Sequence, residues 1–308
     1  MLTRRTVITA IAETAYGTDP AMTGTNAILA WDVNLDVKGE VLERLYLRDS
    51  LSPISHVVGM KEVELSFKSE LVGSNAAPMI GPILSACGFG TGVTTGTALV
   101  YSLVSSEVNM PSVAIYVYKD GNRHKVLGAR GTVKFLLEAG KYGIAEFAMK
   151  GLYDPVAAVA VPDVSGLSAN KPPICYNSSF QIGGFSPVSS KLEIDMANDI
   201  ARADSLNATY GVAMFRIAGR KPKMTFDADA VLEASNPFWG DWSGHVVDTF
   251  AIDIGTAGNR YILSGIFQLL QPKYGDKDGI SKYDIDAALV SSNPDSQNDE
   301  LKLTYILA

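Results

Sequence analysis

Three histidines, two cysteines and one acidic tetrapeptide are the residues whose types could carry chemistry, and their spacing argues against it. His56, His124 and His245 are scattered, and none has the ligand-spaced partner that a metal requires. His124 follows a Gly121-Asn122-Arg123 turn, which predicts a place at the surface. Cys87 and Cys175 form no CxxC pair and read as two reduced core thiols. Asp276-Lys277-Asp278-Gly279 opens like a calcium loop, but it lacks the third acidic position and the closing Glu, so it reads as a hairpin turn. The glycines between Gly88 and Gly96 match neither GxGxxG nor GxxxxGK[ST], and no GxSxG elbow occurs. The expectation is no catalytic residue, no bound cofactor and no metal.

Composition supports a folded, soluble reading. The chain has 308 residues, 47% hydrophobic and 19% charged, with 28 glycines and 14 prolines. That is the balance of an ordinary soluble strand-and-turn protein, long enough for about two domains. Its net charge of −7 disfavours a surface built to hold nucleic acid, because such surfaces neutralise phosphates with Lys and Arg. Arg4-Arg5 and the apolar run Thr6–Ala12 resemble an export signal, but Glu13 ends the run too early for one. No stretch is apolar for long enough to predict a membrane span.

The elements that would position any site are strands. Trp31, Val33, Leu35 and Val37 alternate with polar residues, as do Val63, Leu65 and Phe67. Further strands are predicted at 113–118, 132–138, 144–150, 191–196, 223–232, 249–254, 280–287 and 301–307. Each has one apolar and one polar face, the pattern of antiparallel sheets with a wet side. Short helices are predicted at Ala76–Cys87, confined by Pro78 and Pro82, and around Ser235–Trp242.

A proline-bearing stretch from Asp154 to Pro173 reads as a linker. The halves on either side resemble each other. Gly121-Asn122-Arg123 with Gly128 is matched, at the same offset, by Gly258-Asn259-Arg260 with Gly265. Lys141-Tyr142-Gly143 is matched by Lys273-Tyr274-Gly275, and Gly59-Met60-Lys61 before Leu65-Ser66-Phe67 by Gly219-Arg220-Lys221 before Met224-Thr225-Phe226. The order and spacing argue for an internal duplication. We therefore expect an all-β fold with short helices: a first β-sandwich or β-barrel domain over 1–157, a linker at 158–174 and a second such domain over 175–308, each with a small flanking helix. A Gly-Asn hairpin turn is expected in both halves. Both are also expected to carry a long first loop, at 38–58 and at 197–218, of the kind that makes contacts.

Several stretches resemble the major tail tube proteins of long, non-contractile bacteriophage tails (siphoviruses). They are Glu13-Thr14-Ala15-Tyr16-Gly17-Thr18-Asp19-Pro20, Gly73-Ser74 with Gly81-Pro82-Ile83-Leu84-Ser85-Ala86-Cys87-Gly88-Phe89, Leu127–Lys134 and Tyr274–Gly279. The resemblance implies a helix-flanked β-sandwich with a long hairpin loop reaching the next ring. It also implies a structural virion protein that polymerises into stacked rings, the conduit for genome ejection, assembled in the host cytoplasm. Its implied partners are further copies of itself, the tape measure protein, the tail terminator and baseplate or distal tail proteins, with genome DNA passing through unbound. Two units per chain and six units per ring would make the ring a homotrimer of pseudo-six-fold symmetry.

On that reading Glu64, Lys68, Glu70, Asp227 and Asp229 are candidates for the lumen wall, the alternative being ordinary solvated strand faces. Leu45, Tyr46 and Leu47 in the first loop, and Tyr210, Val212, Met214 and Phe215 in the second, are candidates for ring-to-ring contacts, the alternative being that they fold back on their own domain. Two other functions remain open. A receptor- or carbohydrate-binding β-sandwich would group exposed aromatics, for which only Phe238-Trp239-Gly240-Asp241-Trp242 offers itself. A tail-associated hydrolase would need a catalytic pair that the sequence does not assemble.

Overall fold

The computed structural model describes residues 2, 4–73, 78–165, 167, 169–256 and 258–307. The first half supplies β1 (Thr6–Ala12), β2 (Ala27–Ile28), β3 (Trp31–Leu42), β4 (Val57–Glu70), β5 (Val93–Thr95), β6 (Ala98–Ser102), β7 (Val113–Lys119), β8 (Asn122–Glu138), β9 (Ile144–Tyr153) and β10 (Ala157–Ala158). The second supplies β11 (Ser179–Ile182), β12 (Lys191–Asp195), β13 (Asn198–Asp204), β14 (Val212–Arg220), β15 (Lys223–Asp229), β16 (Val247–Thr256), β17 (Asn259–Leu269), β18 (Lys273–Lys277), β19 (Ile280–Leu289) and β20 (Leu301–Ile306). The fold is all-β, with few and short helices. No described helix is long and apolar enough to cross a membrane.

Pairing runs β3-β4-β9-β8-β7 in the first half and β15-β19-β17-β16 in the second, with β12 beside β15. Position for position, β12 stands to β15 as β3 stands to β4. Each half also places a helix between the corresponding strands, α1 (Gly81–Leu84) and α2 (Phe238–Ser243). In α1, Pro82 lies in the first turn, where its missing N–H costs nothing. A wider turn over Ser85–Phe89 follows and ends where Gly88 turns to φ 96°. Positions 76–77 of the expected first helix, and Ser74 of the motif before it, lie outside the described residues.

The two halves are joined edge to edge. β8 is 17 residues long, and its edge away from β9 serves two partners in turn. β7 occupies it from Asn122 to Ala129, and β12 from Lys134 to Glu138. A second junction pairs β20 with β6, Tyr305 facing Leu99. One apolar core spans both junctions: Phe67, Phe135 and Phe147 from the first half are sealed with Ile194, Phe226 and Tyr261 from the second.

Several expectations change in detail. The strand expected at 132–138 is only the far end of β8. The segment expected as a loop at 197–218 is mostly a two-stranded hairpin, β13 with β14, because its short alternating runs satisfy each other's backbone groups. The first loop is shorter than expected, since β3 and β4 extend along each other to Leu42 and Val57. The β7–β8 turn is Asp120-Gly121, both with positive φ, and Asn122 already pairs with Lys119. Asp-Gly suits the two-residue hairpin turn for the same reason as Asn-Gly. Asp278-Gly279 forms a two-residue turn of the same kind between β18 and β19, as expected in place of a calcium loop. Thr6–Ala12, which resembled an export signal, is a strand paired along its whole length with β7.

Glu13 explains part of the Glu13–Pro20 motif. Its carboxylate, 7% exposed, accepts hydrogen bonds from the Ser112 hydroxyl at 2.6 Å, the Gly17 amide at 2.7 Å and the Gly128 amide at 2.7 Å. Tyr16 lies against Gly128, where a Cβ would approach the ring to 2.5 Å, and its hydroxyl accepts the Phe215 amide proton at 2.7 Å. Burial pushes the Tyr16 phenol up to about 12. One carboxylate thus ties the N-terminal arm to the bend in β8. Replacing Glu13 by Ala strands three donors, each worth about 1–3 kcal/mol when left unpaired in the interior. We expect Glu13→Ala to lower the melting temperature by several degrees in calorimetry, with Glu13→Gln intermediate.

Candidate functional site

The strands β3-β4-β9-β8-β12-β15-β19 place their alternate residues on one broad polar face. Cross-strand registers carry single rows across it. Lys68, Glu146, Lys134, Asp195 and Lys223 stand opposite one another in sequence, so the row alternates in charge and crosses from one half into the other. Opposite charges facing across strands stabilise a pair by about 0.2–1 kcal/mol. Lys134 Nζ lies 2.9 Å from Glu193 and 3.7 Å from Asp195, bridging the junction of the halves. Another cluster centres on Glu64, whose carboxylate meets Lys38 at 2.5 Å and Lys150 at 3.1 Å. The Lys38 contact is the main reason that the Glu64 carboxyl sits below its ordinary range.

All five residues expected at a lumen wall, Glu64, Lys68, Glu70, Asp227 and Asp229, lie on this one face, although they come from different halves. Their environments differ. Lys68 meets Asp32 at 3.0 Å. Glu70 stands opposite Ile144, and burial pushes its carboxyl up. Asp229 meets Lys282 at 3.1 Å. Asp227 departs from the expectation of an exposed acid: it is 4% exposed and accepts hydrogen bonds from the Ser190 hydroxyl and from the Ser190 and Lys191 amides, with Lys282 at 3.2 Å. Burial alone would raise its carboxyl, but the Ser190 hydroxyl, the two amides and Lys282 together hold it well below the usual range. The Ser189–Lys191 turn folds over it, which no alternation pattern reveals.

The apolar loop residues divide sharply. Leu45, Tyr46 and Leu47 sit at the tip of the β3–β4 hairpin and are 88%, 64% and 105% exposed. Leu51, on the same tip, is 105% exposed and was not singled out from sequence. Four large apolar side chains that touch little of their own chain form the kind of patch a monomer normally hides. The second hairpin does the opposite. Val212 and Phe215 are 5% and 1% exposed, so they are not free to meet a neighbour, and the expectation fails for them. Tyr210 and Met214 are half-buried, and the Tyr210 ring packs edge-on against Tyr153 with centroids 5.0 Å apart. Lys61 lies over both rings. This hairpin lies back on the first half, where an apolar surface was available to bury it.

The residues that resembled catalytic parts are dispersed. Cys87 is sealed with its thiol 3.7 Å from the Met149 sulfur, and Cys175 is also buried and unpaired. Burial pushes both thiols up. His56 and His245 are exposed and His124 half-buried. Among the described residues no group of three or more His, Cys, Asp or Glu is arranged to hold a metal. Phe238 is core, with Trp239 packed beside it, so the aromatic cluster serves mainly to seat α2.

A family model described as phage tail tube protein matches residues 3–237. The chain belongs to the phage tail tube protein family. The match covers all of the first half and continues through β15, so it takes in both polar strands, β4 and β15, that carry the lumen candidates. No curated protein matches the chain. Membership makes it a component of the virion tail with a structural role.

A pH prediction follows from Asp227. Its folded-state pKa is depressed, so its contribution is present above the unfolded value near 3.8 and is lost as pH falls through the folded value. We expect Asp227→Asn to be less stable than the parent at pH 7 in urea melts. The gap should narrow as the pH falls below about 4.

Proposed function

We propose that this chain polymerises into stacked rings forming the tube of a long, non-contractile phage tail, and that its polar sheet face lines the lumen through which the genome is ejected. The observation that carries the reading is a single, charge-laddered sheet face built from both halves, ending, among the described residues, in two unpaired strand edges. A tube wall needs such repeated units whose edges are covered by neighbours. Corresponding strands occur in the same order in both halves, which supports two duplicated units per chain. Three chains would then present six units around a ring, a homotrimer with pseudo-six-fold symmetry. The exposed tip around Leu45, Tyr46, Leu47 and Leu51 is placed to reach the ring above or below. Tape measure, terminator and baseplate or distal tail proteins are the further partners this role implies.

The face suits passage rather than capture. Lys38, Lys68, Lys134, Lys150 and Lys282 each meet a carboxylate. A cation already paired has little to gain from phosphate, so DNA finds few sites at which counterion release would hold it. The alternative of a receptor- or glycan-binding module is weaker, because the aromatics it would use are largely packed around α2.

Electron microscopy of the purified protein, with rotational averaging of end-on views, tests the assembly. Hollow stacked rings of three-fold or pseudo-six-fold symmetry are expected, with baseplate initiator added if the protein alone stays dispersed. Persistent monomers after initiation would refute the tube reading. The lumen assignment has its own test: Glu64→Gln frees Lys38 and Lys150 together. Phage carrying it should eject DNA more slowly at low salt and at the parental rate at high salt, whereas an unchanged rate at all salts would put this face on the outer wall.

A further inference from the structure

The chain contains one complete edge-to-edge junction between its halves, β8 with β12, and one unpaired edge on each side equivalent to the two strands of that junction. Among the described residues β3 pairs only with β4, and β18 only with β19. The equivalence follows from register. Lys134 and Phe135 of β8 face Glu146 and Ala145 of β9. Lys273 and Tyr274 of β18 face Asp284 and Tyr283 of β19. β9 and β19 align through their other neighbours, since Leu65 faces Met149 and the matching Met224 faces Ala287. Lys273 therefore stands where Lys134 stands, and not where Lys141 does, so the Lys-Tyr-Gly match expected between the halves is not a structural one: Lys141 lies between β8 and β9. On the opposite edge, Leu35 faces Leu65 and Ile194 faces Met224, so Asp36 stands where Asp195 stands.

We infer that β3 of one chain pairs antiparallel with β18 of a second copy, in the register of the β8–β12 junction, setting Asp36 opposite Lys273, Leu35 opposite Tyr274 and Asn34 opposite Gly275. The inference rests on the ring-forming reading above. Charge is complementary at the first pair, as at Lys134 and Asp195, 3.7 Å apart in the internal junction. The apolar pair is the stronger argument. In the internal junction its counterparts Phe135 and Ile194 are both fully buried. At the free edges Tyr274 is 65% exposed and Leu35 half-buried, two side chains of the core face awaiting cover. The register ends at Asn34 because a bulge between Trp31 and Asn34 interrupts the β3 ladder.

Within one chain the two edges are separated by β4, β9, β8, β12, β15 and β19, seven strand spacings of about 4.8 Å, or roughly 34 Å along the sheet. A disulfide between them must therefore join two chains. The test is the full-length double variant Asp36→Cys with Lys273→Cys, polymerised and oxidised, then separated without reductant. The native thiols are buried and leave the readout clean. Covalent dimers and trimers are expected, ending at the trimer if three chains close the ring. The control pair Asp36→Cys with Lys277→Cys, displaced by four residues, is expected to give less than a tenth of that cross-linking. Equal cross-linking by both pairs, or none from the first in samples whose rings are visible by microscopy, would overturn this register while leaving the tube reading intact. Cross-linking of Lys273→Cys alone, without Asp36→Cys, would overturn it in favour of a symmetric β18–β18 contact. Absence of rings in the parent protein would instead remove the reading on which the inference rests.

Discussion

Everything in this molecule hangs on the outer edge of β8 being shared between two strands. A strand longer than its hairpin partner leaves unpaired amides and carbonyls at its far end, and a buried backbone group without a partner is costly. Here β7 leaves β8 after Ala129, and β12 takes over at Lys134. Just where β7 leaves, between Leu127 and Arg130, the β8–β9 register shifts, and Gly128 there adopts a positive φ of 58° that a side chain would resist. The Gly128 amide is held by Glu13. The bend thus lets one strand belong to two sheets. Its near end closes the β1-β7 layer, and its far end recruits the second half of the chain.

That shared edge has an electrostatic consequence. Once β12 is seated, the polar residues of β4, β9, β8 and β15 fall into common rows, and charges that alternate along individual strands become charges that alternate across the sheet. Lys134 finds a carboxylate on both sides, Glu146 and Asp195, without any long-range design beyond register. The face is then covered with charge yet offers few free cations. Beneath it the apolar residues of the same strands meet as one core, so a slip of one residue at the β8–β12 junction would bury Lys134 and expose Phe135 together. Register is strongly specified there for that reason.

The two hairpins show how the same local sequence character acquires opposite fates. Both carry apolar residues near their tips. The β13–β14 hairpin lies on the first half, where Tyr16, Tyr153 and Lys61 receive it. The β3–β4 hairpin runs on beyond the end of β9, which pairs with β4 only from Glu62 onward, and Leu45, Tyr46, Leu47 and Leu51 stay exposed there. Val212 and Phe215 are buried while Leu206, in the turn of the same hairpin, stays 106% exposed, so cover is a matter of position rather than of local sequence.

Alternation of apolar and polar residues by itself determined the strands and their wet and dry faces, because side chains on a strand alternate with a period of two wherever it lies. It also placed Glu64, Lys68, Glu70 and Asp229 correctly on polar faces, and the Asp278-Gly279 turn is local chemistry that any fold would respect. What it could not supply was the neighbour of each strand. That β8 outlasts β7, that Asp227 is roofed by Ser190, and that Val212 and Phe215 find cover while Leu45 and Leu47 do not, all depend on residues far away in the chain. Only the tertiary structure decided these, because edge pairing is set by which backbone groups remain unsatisfied once the local hairpins have formed.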